Sequence, residues 1–200
     1  MTYTTVRYKS YSDYLKADLS SEGNFRLLNS GKVVELPPED EENICIAGEL
    51  TFALKNLVSP RRLVRTASTE IQVRPVGDGR VNRVPDVLVL KPEHIEILSA
   101  TKKSTVLLGM PAPAFVAEVV SPGNKNTDNY RRDYEWKRQQ YQELEIPEYW
   151  IIDRHRQQIT VLTLQNGLYS EQGYQGSARI QSKSFLTLAL SAAQVLAGGL

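Results

Sequence analysis

The stretch Ala114-Phe115-Val116-Ala117-Glu118-Val119-Val120-Ser121, apolar but for Glu118 and its last residue, is bounded by Pro113 and by Pro122-Gly123, the pattern of a buried β-strand. Other stretches read as strands at 63–74, 84–90 and 148–153. Two hairpins are expected, 25–28 with 32–36 across Asn29-Ser30-Gly31, and 159–164 with 168–174 across Asn166-Gly167. Pro37-Pro38-Glu39-Asp40 opens a helix predicted to run to about Val58, with Ile46, Ala47, Leu50, Ala53, Leu54 and Leu57 as its apolar stripe. A second long helix is predicted over 129–145, a small one over 11–16, and a short closing segment from Ser191. The order α-β-β-β-α-β with trailing strands specifies an α/β domain with a mixed sheet flanked by helices.

Two hundred residues, 41% hydrophobic and 24% charged, suffice for one well-buried domain. That domain divides into an N-terminal helix and hairpin (1–36), a core (37–153) and trailing strands with a C-terminal segment (154–200). A net charge of +1 excludes a strongly basic wrapping protein. Cys45 is the only cysteine, and His94 and His155 do not have the spacing of a metal-ligand pair, so neither a disulfide nor a thiolate zinc cluster is expected. The first residues lack the apolar core of a signal peptide, and no apolar run is long enough to span a membrane. A soluble, cytoplasmic protein is the expectation, with no membrane partner.

Against this background Glu118 stands out, because a carboxylate inside an apolar strand needs a cation, a metal or a proton. Val84-Pro85-Asp86-Val87 begins a second apolar strand that also carries an acid. Pro85-Asp86 is read equally well as a simple turn. If the two strands are neighbours, Asp86 and Glu118 share one small volume, and with the backbone carbonyl of Val119 alongside they suit a hard cation such as Mg²⁺. On a helical wheel Lys137 is the centre of the stripe formed by Tyr130, Tyr134, Tyr141 and Leu144, which points it inward, toward the acids. The competing reading is an ordinary surface pair between Asp133 and Lys137, four residues apart.

Val84-Pro85-Asp86, Phe115 through Pro122, Asp133, Lys137 and Tyr141, and Ile146-Pro147-Glu148-Tyr149-Trp150-Ile151-Ile152-Asp153 together resemble the Uma-type family of putative restriction endonucleases, within the PD-(D/E)xK nuclease superfamily. The resemblance runs from about Tyr11 to the C-terminus. It implies a restriction-endonuclease-like core and Mg²⁺-dependent hydrolysis of DNA phosphodiester bonds, with Mn²⁺ able to substitute and Asp86 and Glu118 as metal ligands. Where the superfamily has a lysine two residues after the glutamate, this chain has Val120. The resemblance transfers that role to Lys137 on the helix. It also matches Glu41 to an acidic position before the first helix, although Glu42 and Glu49 lie nearer the buried stripe. The four acids at the helix start, Glu39-Asp40-Glu41-Glu42, equally serve to complement the helix dipole.

Between Lys55 and Arg83, seven cations (Lys55, Arg61, Arg62, Arg65, Arg74, Arg80, Arg83) face only Glu70 and Asp78, an excess consistent with phosphate contacts or with a solvated face. No sequence-reading module is visible, and a homodimer is left open. The competing functional class is an inactive nuclease-fold module that binds nucleic acid or protein. A glycosidase reading of the two acids leaves the inward lysine unexplained. On this view Glu118 and Asp86 repel one another without metal, so removing Glu118 should leave the fold as stable or more so.

Overall fold

The computed structural model describes residues 3–19 and 23–199. Its centre is a six-stranded mixed sheet in the order β12-β11-β10-β9-β7-β4. These strands are β4 (Val64–Thr66), β7 (Val87–Val89), β9 (Phe115–Val119), β10 (Glu148–Asp153), β11 (Gln158–Gln165) and β12 (Leu168–Gln175). Only β9 and β10 run parallel, with Ile151 opposite Glu118, and every other pair is antiparallel. The parallel pair requires a crossover, supplied by the helical stretch 128–143. β11 and β12 thus complete the central sheet rather than trail from it, joined through Asn166 and Gly167, whose positive φ values of 52° and 79° match the twist of a tight hairpin.

Alternation along β9 sends Phe115, Ala117 and Val119 to one face and Val116, Glu118 and Val120 to the other. The first face is covered by α2 (Glu41–Lys55) through Ile46, Leu50 and Leu54, and by the chain around Phe185 and α6 (Ala192–Leu196). Phe115 meets Trp150 and Phe185 edge to face, at centroid distances of 5.4 and 5.2 Å. On the second face lies the helical stretch 128–143, made of α4 (Asp128–Arg131), a π-helical turn (Arg132–Trp136) and α5 (Lys137–Glu143). Tyr141 there packs with Val116, Val120, Tyr149 and Ile151.

α2 starts where the sequence predicts, with Asp40 capping the Glu42 amide, but ends at Lys55, which leaves Leu57 outside the buried stripe and 41% exposed. The expected strand over 63–74 divides in two. After β4 the chain turns at Ala67, with φ of 41°, and continues as β5 (Glu70–Gln72) in a small sheet ordered β6-β5-β8, with β6 (Asn82–Arg83) and β8 (Thr105–Val106). A helix not predicted from the sequence pattern, α3 (Glu93–Thr101), lies between β7 and β8. The N-terminal part is α1 (Tyr11–Ala17) with the sheet β1-β3-β2, formed by β1 (Tyr3–Arg7), β2 (Phe25–Leu27) and β3 (Lys32–Glu35). It docks through Leu27, whose N–H donates to Asn82 and whose carbonyl accepts from Val81.

The C-terminal chain is fastened by a fully buried carboxylate. Glu148 accepts from Trp150 Nε1 and Ser182 Oγ at 2.7 Å, and from the amides of Lys183 and Ser184 at 2.8 Å. Glu148→Ala orphans these donors, and buried unpaired donors cost about 1–3 kcal/mol each where water does not reach them. A fall in melting temperature on the order of 10 °C is expected, with new proteolytic sensitivity between residues 176 and 190; unchanged melting would contradict this anchoring role.

Candidate active site

Asp86 and Glu118 are brought together by register. β7 and β9 pair antiparallel with Val87 opposite Ala117, which sets Asp86 across from Glu118 on the same face. Asp86 lies just before β7, is partly buried, and accepts from the Val119 amide at 2.7 Å. Its carbonyl accepts from the Ala67 amide at 3.0 Å. Val119, expected as a ligand through its carbonyl, therefore has its N–H turned to one acid while its neighbour supplies the other.

Glu118 is only 2% exposed and both of its oxygens are engaged. Tyr141 donates its hydroxyl to Oε1 at 2.6 Å, and Lys137 Nζ lies 2.9 Å from Oε2. Lys137 points inward, as the wheel requires. It also contacts Asp133 Oδ1 at 2.9 Å, so the four-residue pair exists as well, but in the interior rather than on a solvated face. Asp133 is held in turn by a two-pronged contact from Arg132, at 3.0 and 2.9 Å. Residues 132–136 wind as a π turn, within which Asp133, four residues before Lys137, shares the buried face of the helix with it.

The protonation behaviour of the two ends of this chain of charges differs. Burial pushes Asp86 up, and the nearby Glu118 pushes it further, to about 8, against the opposing pull of Lys137 and the Val119 amide. Burial alone would also raise Asp133, but Lys137 and Arg132 outweigh it and hold Asp133 below the usual carboxylate range. For Lys137 burial works to discharge the ammonium, yet Asp133 and Glu118 keep its pKa above the ordinary lysine value. Burial and the Glu118 charge keep Tyr141 protonated far into the alkaline range. Glu118 is thus paired with Lys137, while among the described residues Asp86 has no cation in contact.

Among the described residues no three His, Cys, Asp or Glu side chains form a metal-holding group. The donor set is two facing carboxyl groups, Glu118 paired with Lys137 and Asp86 with no cation in contact among the described residues, and this fits Mg²⁺, which is commonly held by one or two carboxylates with water and phosphate completing its shell. Glu41 sits on the exposed first turn of α2, with Cys45 Sγ at 3.9 Å. Of the acids around the start of α2, the one whose charge reaches Asp86 is Glu39, two residues earlier, fixed by Asn43 Nδ2 at 2.7 Å, and its influence is smaller than that of Glu118. Glu42 pairs with Arg154, and Glu49 lines a groove between α2 and α6. Sequence reading passed over Glu39 because it precedes the helix, although Asn43 four residues on is the kind of polar partner that marks it.

The cations fall differently from the sequence expectation. Arg80 and Arg83 are buried and bound to Asp78, at 3.2 Å and, through two contacts, at 3.0 Å, which removes them from the phosphate-contacting set. Arg83 also donates to Gln140 on α5, whose amide bonds the Arg74 and Arg80 carbonyls, and Gly77 lies so close to Trp136 that a Cβ there would come within 2.0 Å of the indole. The loop 74–83 therefore clamps the helix that carries Lys137. Arg156, not singled out from sequence, is exposed beside Asp153, covers the stacked rings of Tyr130 and Tyr134, and donates to the Gly123 carbonyl in the loop after β9.

Comparison with known proteins agrees with the fold. The crystal structure described as a putative nuclease belonging to DUF820 from Anabaena variabilis superposes with a TM-score of 0.65 at 20% identity, covering 94% of this chain and 98% of the other, and the two share a fold. No curated protein sequence matches. Among the described residues no helix is long and apolar enough to cross a membrane. The sequence matches the Uma2 family, described as putative restriction endonuclease, over residues 11–194, and this chain belongs to that family.

Proposed function

We propose that the protein is a Mg²⁺-dependent endonuclease that hydrolyses DNA phosphodiester bonds. The observation that carries this reading is the asymmetry of the acid pair, with Lys137 against Glu118 and Asp86 left without a cation. Asp86 and Glu118 would hold the ion, with the Val119 carbonyl beside them; when bound, Mg²⁺ would supply charge neutralisation at the phosphate and a more acidic water. Lys137, fixed by Asp133 and Glu118, would hold a positive charge at a defined point beside the scissile phosphate and orient the attacking water. Tyr141 fixes the Glu118 carboxylate, so its second oxygen keeps one orientation toward the lysine.

One observation favours a second reading, an inactive nuclease-fold module. Both Glu118 oxygens are already satisfied by Lys137 and Tyr141, as in a purely structural ion pair. Calorimetric titration with Mg²⁺ separates the two, because a module of that kind has no use for the ion.

For the nuclease, plasmid DNA is nicked or cut with Mg²⁺ or Mn²⁺ and left intact with chelator. Lys137→Met, which keeps the length and packing of the chain, should lower the cleavage rate by about two to four powers of ten while metal binding persists. Near-normal cleavage by that variant would remove Lys137 from the chemistry.

Stability without metal should depend on pH through Asp86. Its folded value, about 8, lies above the roughly 3.9 of an unfolded aspartate, so between those limits the folded state holds a proton that the unfolded chain has released. Stability therefore falls as pH rises through that window. Asp86→Asn should melt like the parent near pH 4 and progressively higher toward pH 8; a constant offset would refute the assignment. Glu118→Ala should behave in the opposite way to the sequence expectation of relieved repulsion. It strands Tyr141 and half of the Lys137 contact, and breaking a buried pair costs about 3–5 kcal/mol. Thermal melting in chelator measures this, and a stabilised variant would restore the repulsion argument.

A further inference from the structure

The face of α2 that looks away from the sheet is apolar at its middle and charged at its ends. Ile44 is 51% exposed and Phe52 66%, and among the described residues nothing lies within 4 Å of where a Cβ on Gly48, between them, would stand. At about 100° per residue, Glu41, Ile44, Phe52 and Lys55 all fall within roughly 40° of Gly48 around the helix. The two charged residues of this stripe are unused by the single chain. Arg154 takes Asp40 and Glu42, and Asn43 takes Glu39, whereas Glu41 has only Cys45 Sγ at 3.9 Å, and Lys55, half-buried, forms no ion pair among the described residues. Gly48 is equally unexplained from within, because an interior glycine weakens a helix and nothing around this one forbids a side chain. What it offers is room for another backbone to come close.

The stripe is evenly spaced about Gly48, with Ile44 and Phe52 four residues to either side and Glu41 and Lys55 seven. A second α2 laid antiparallel across the first, with a two-fold axis at Gly48, sets each position against the one equally far from Gly48 on the other side. Each Phe52 ring then meets Ile44 of the other copy, and each Lys55 meets Glu41, so every group finds its complement in an identical stripe. A parallel arrangement would instead face Glu41 with Glu41 and Lys55 with Lys55. Beside Phe52 the apolar surface continues into a groove of about 530 Å³ between α2 and α6, walled by Ala53, Leu190, Ala193 and Ala197.

We propose that this face of α2 binds a second copy of the chain, as an antiparallel two-fold dimer whose helices cross at Gly48. A helix of this length is about 22 Å long and 10 Å wide, so the contact is smaller than the roughly 800 Å² per partner of a standard interface, and the dimer is reversible, with a dissociation constant on the order of 10 µM. α2 covers the face of the sheet opposite Glu118 and Lys137, so pairing leaves the face that carries them uncovered and does not depend on the nuclease reading.

The test is sedimentation equilibrium of the whole chain, under reducing conditions because Cys45 is exposed beside the stripe. Monomer should give way to dimer as concentration rises from about 1 to about 200 µM. Gly48→Gln, whose side chain meets nothing in the single chain, should stay monomeric throughout and melt no lower than the parent. Glu41→Lys and Lys55→Glu should each weaken self-association by about tenfold, since like charges replace opposite ones twice per dimer, and an equimolar mixture of the two variants should associate as well as the parent. If Gly48→Gln does not fold, Phe52→Ser, which removes a mostly exposed ring, should likewise be monomeric. A parent that remains monomeric at about 200 µM, or association that persists in Gly48→Gln or Phe52→Ser, overturns the dimer and leaves the face to another partner or to none. Charge-reversed variants that associate like the parent, or a mixture that does not recover association, overturn the antiparallel crossing.

Discussion

Lys137 touches two buried carboxylates at once, Glu118 on the sheet and Asp133 on its own helix, each at 2.9 Å. An ammonium so enclosed survives only because both acids are present, and each acid tolerates its burial only because the ammonium is there. The contact therefore sets how the helical stretch 128–143 sits on the second face of the sheet. Tyr141, Val120 and Ile151 pack around it, and the apolar contacts they make depend on the same placement.

The price of that arrangement falls on Asp86. With Lys137 committed elsewhere, the aspartate sits across from Glu118 with a single amide for support, and burial with that neighbour raises its pKa to about 8. The fold thus contains one acid that is electrostatically satisfied and a facing one that is not. A structural ion pair has no need of the second acid, whereas a site for a divalent ion does.

The sheet was legible in sequence wherever prolines and apolar runs marked strand ends, as at Pro113 and Pro122 around β9, and β10 matches its expected 148–153 span. Helical periodicity found Lys137, because four apolar or aromatic neighbours define its side of the helix even across a π turn. What escaped were features set by distant partners. α3 is short and carries charged residues beside Ile95, Ile97 and Leu98, so it resembles a connection, although Pro92 at its start is a helix-opening signal. Arg80 and Arg83 looked like surface cations because no local pattern reveals that Asp78 folds back on both. The break at Ala67 has no sequence mark, since alanine rarely adopts a left-handed backbone and does so here through its bond to the Asp86 carbonyl.

A lysine two residues along the same strand would stand at a distance from the glutamate fixed by covalent geometry. Here that distance depends on how a helix docks, and the docking is held from outside by Gly77 against Trp136 and by Arg83 through Gln140. The spacing of the charged groups is thus an adjustable quantity, open to tuning by substitutions in the loop 74–83, outside the acid pair itself. A side chain larger than hydrogen at position 77 would lift the helix and draw Lys137 away from Glu118, leaving every acid and base of the site in place but out of register with one another.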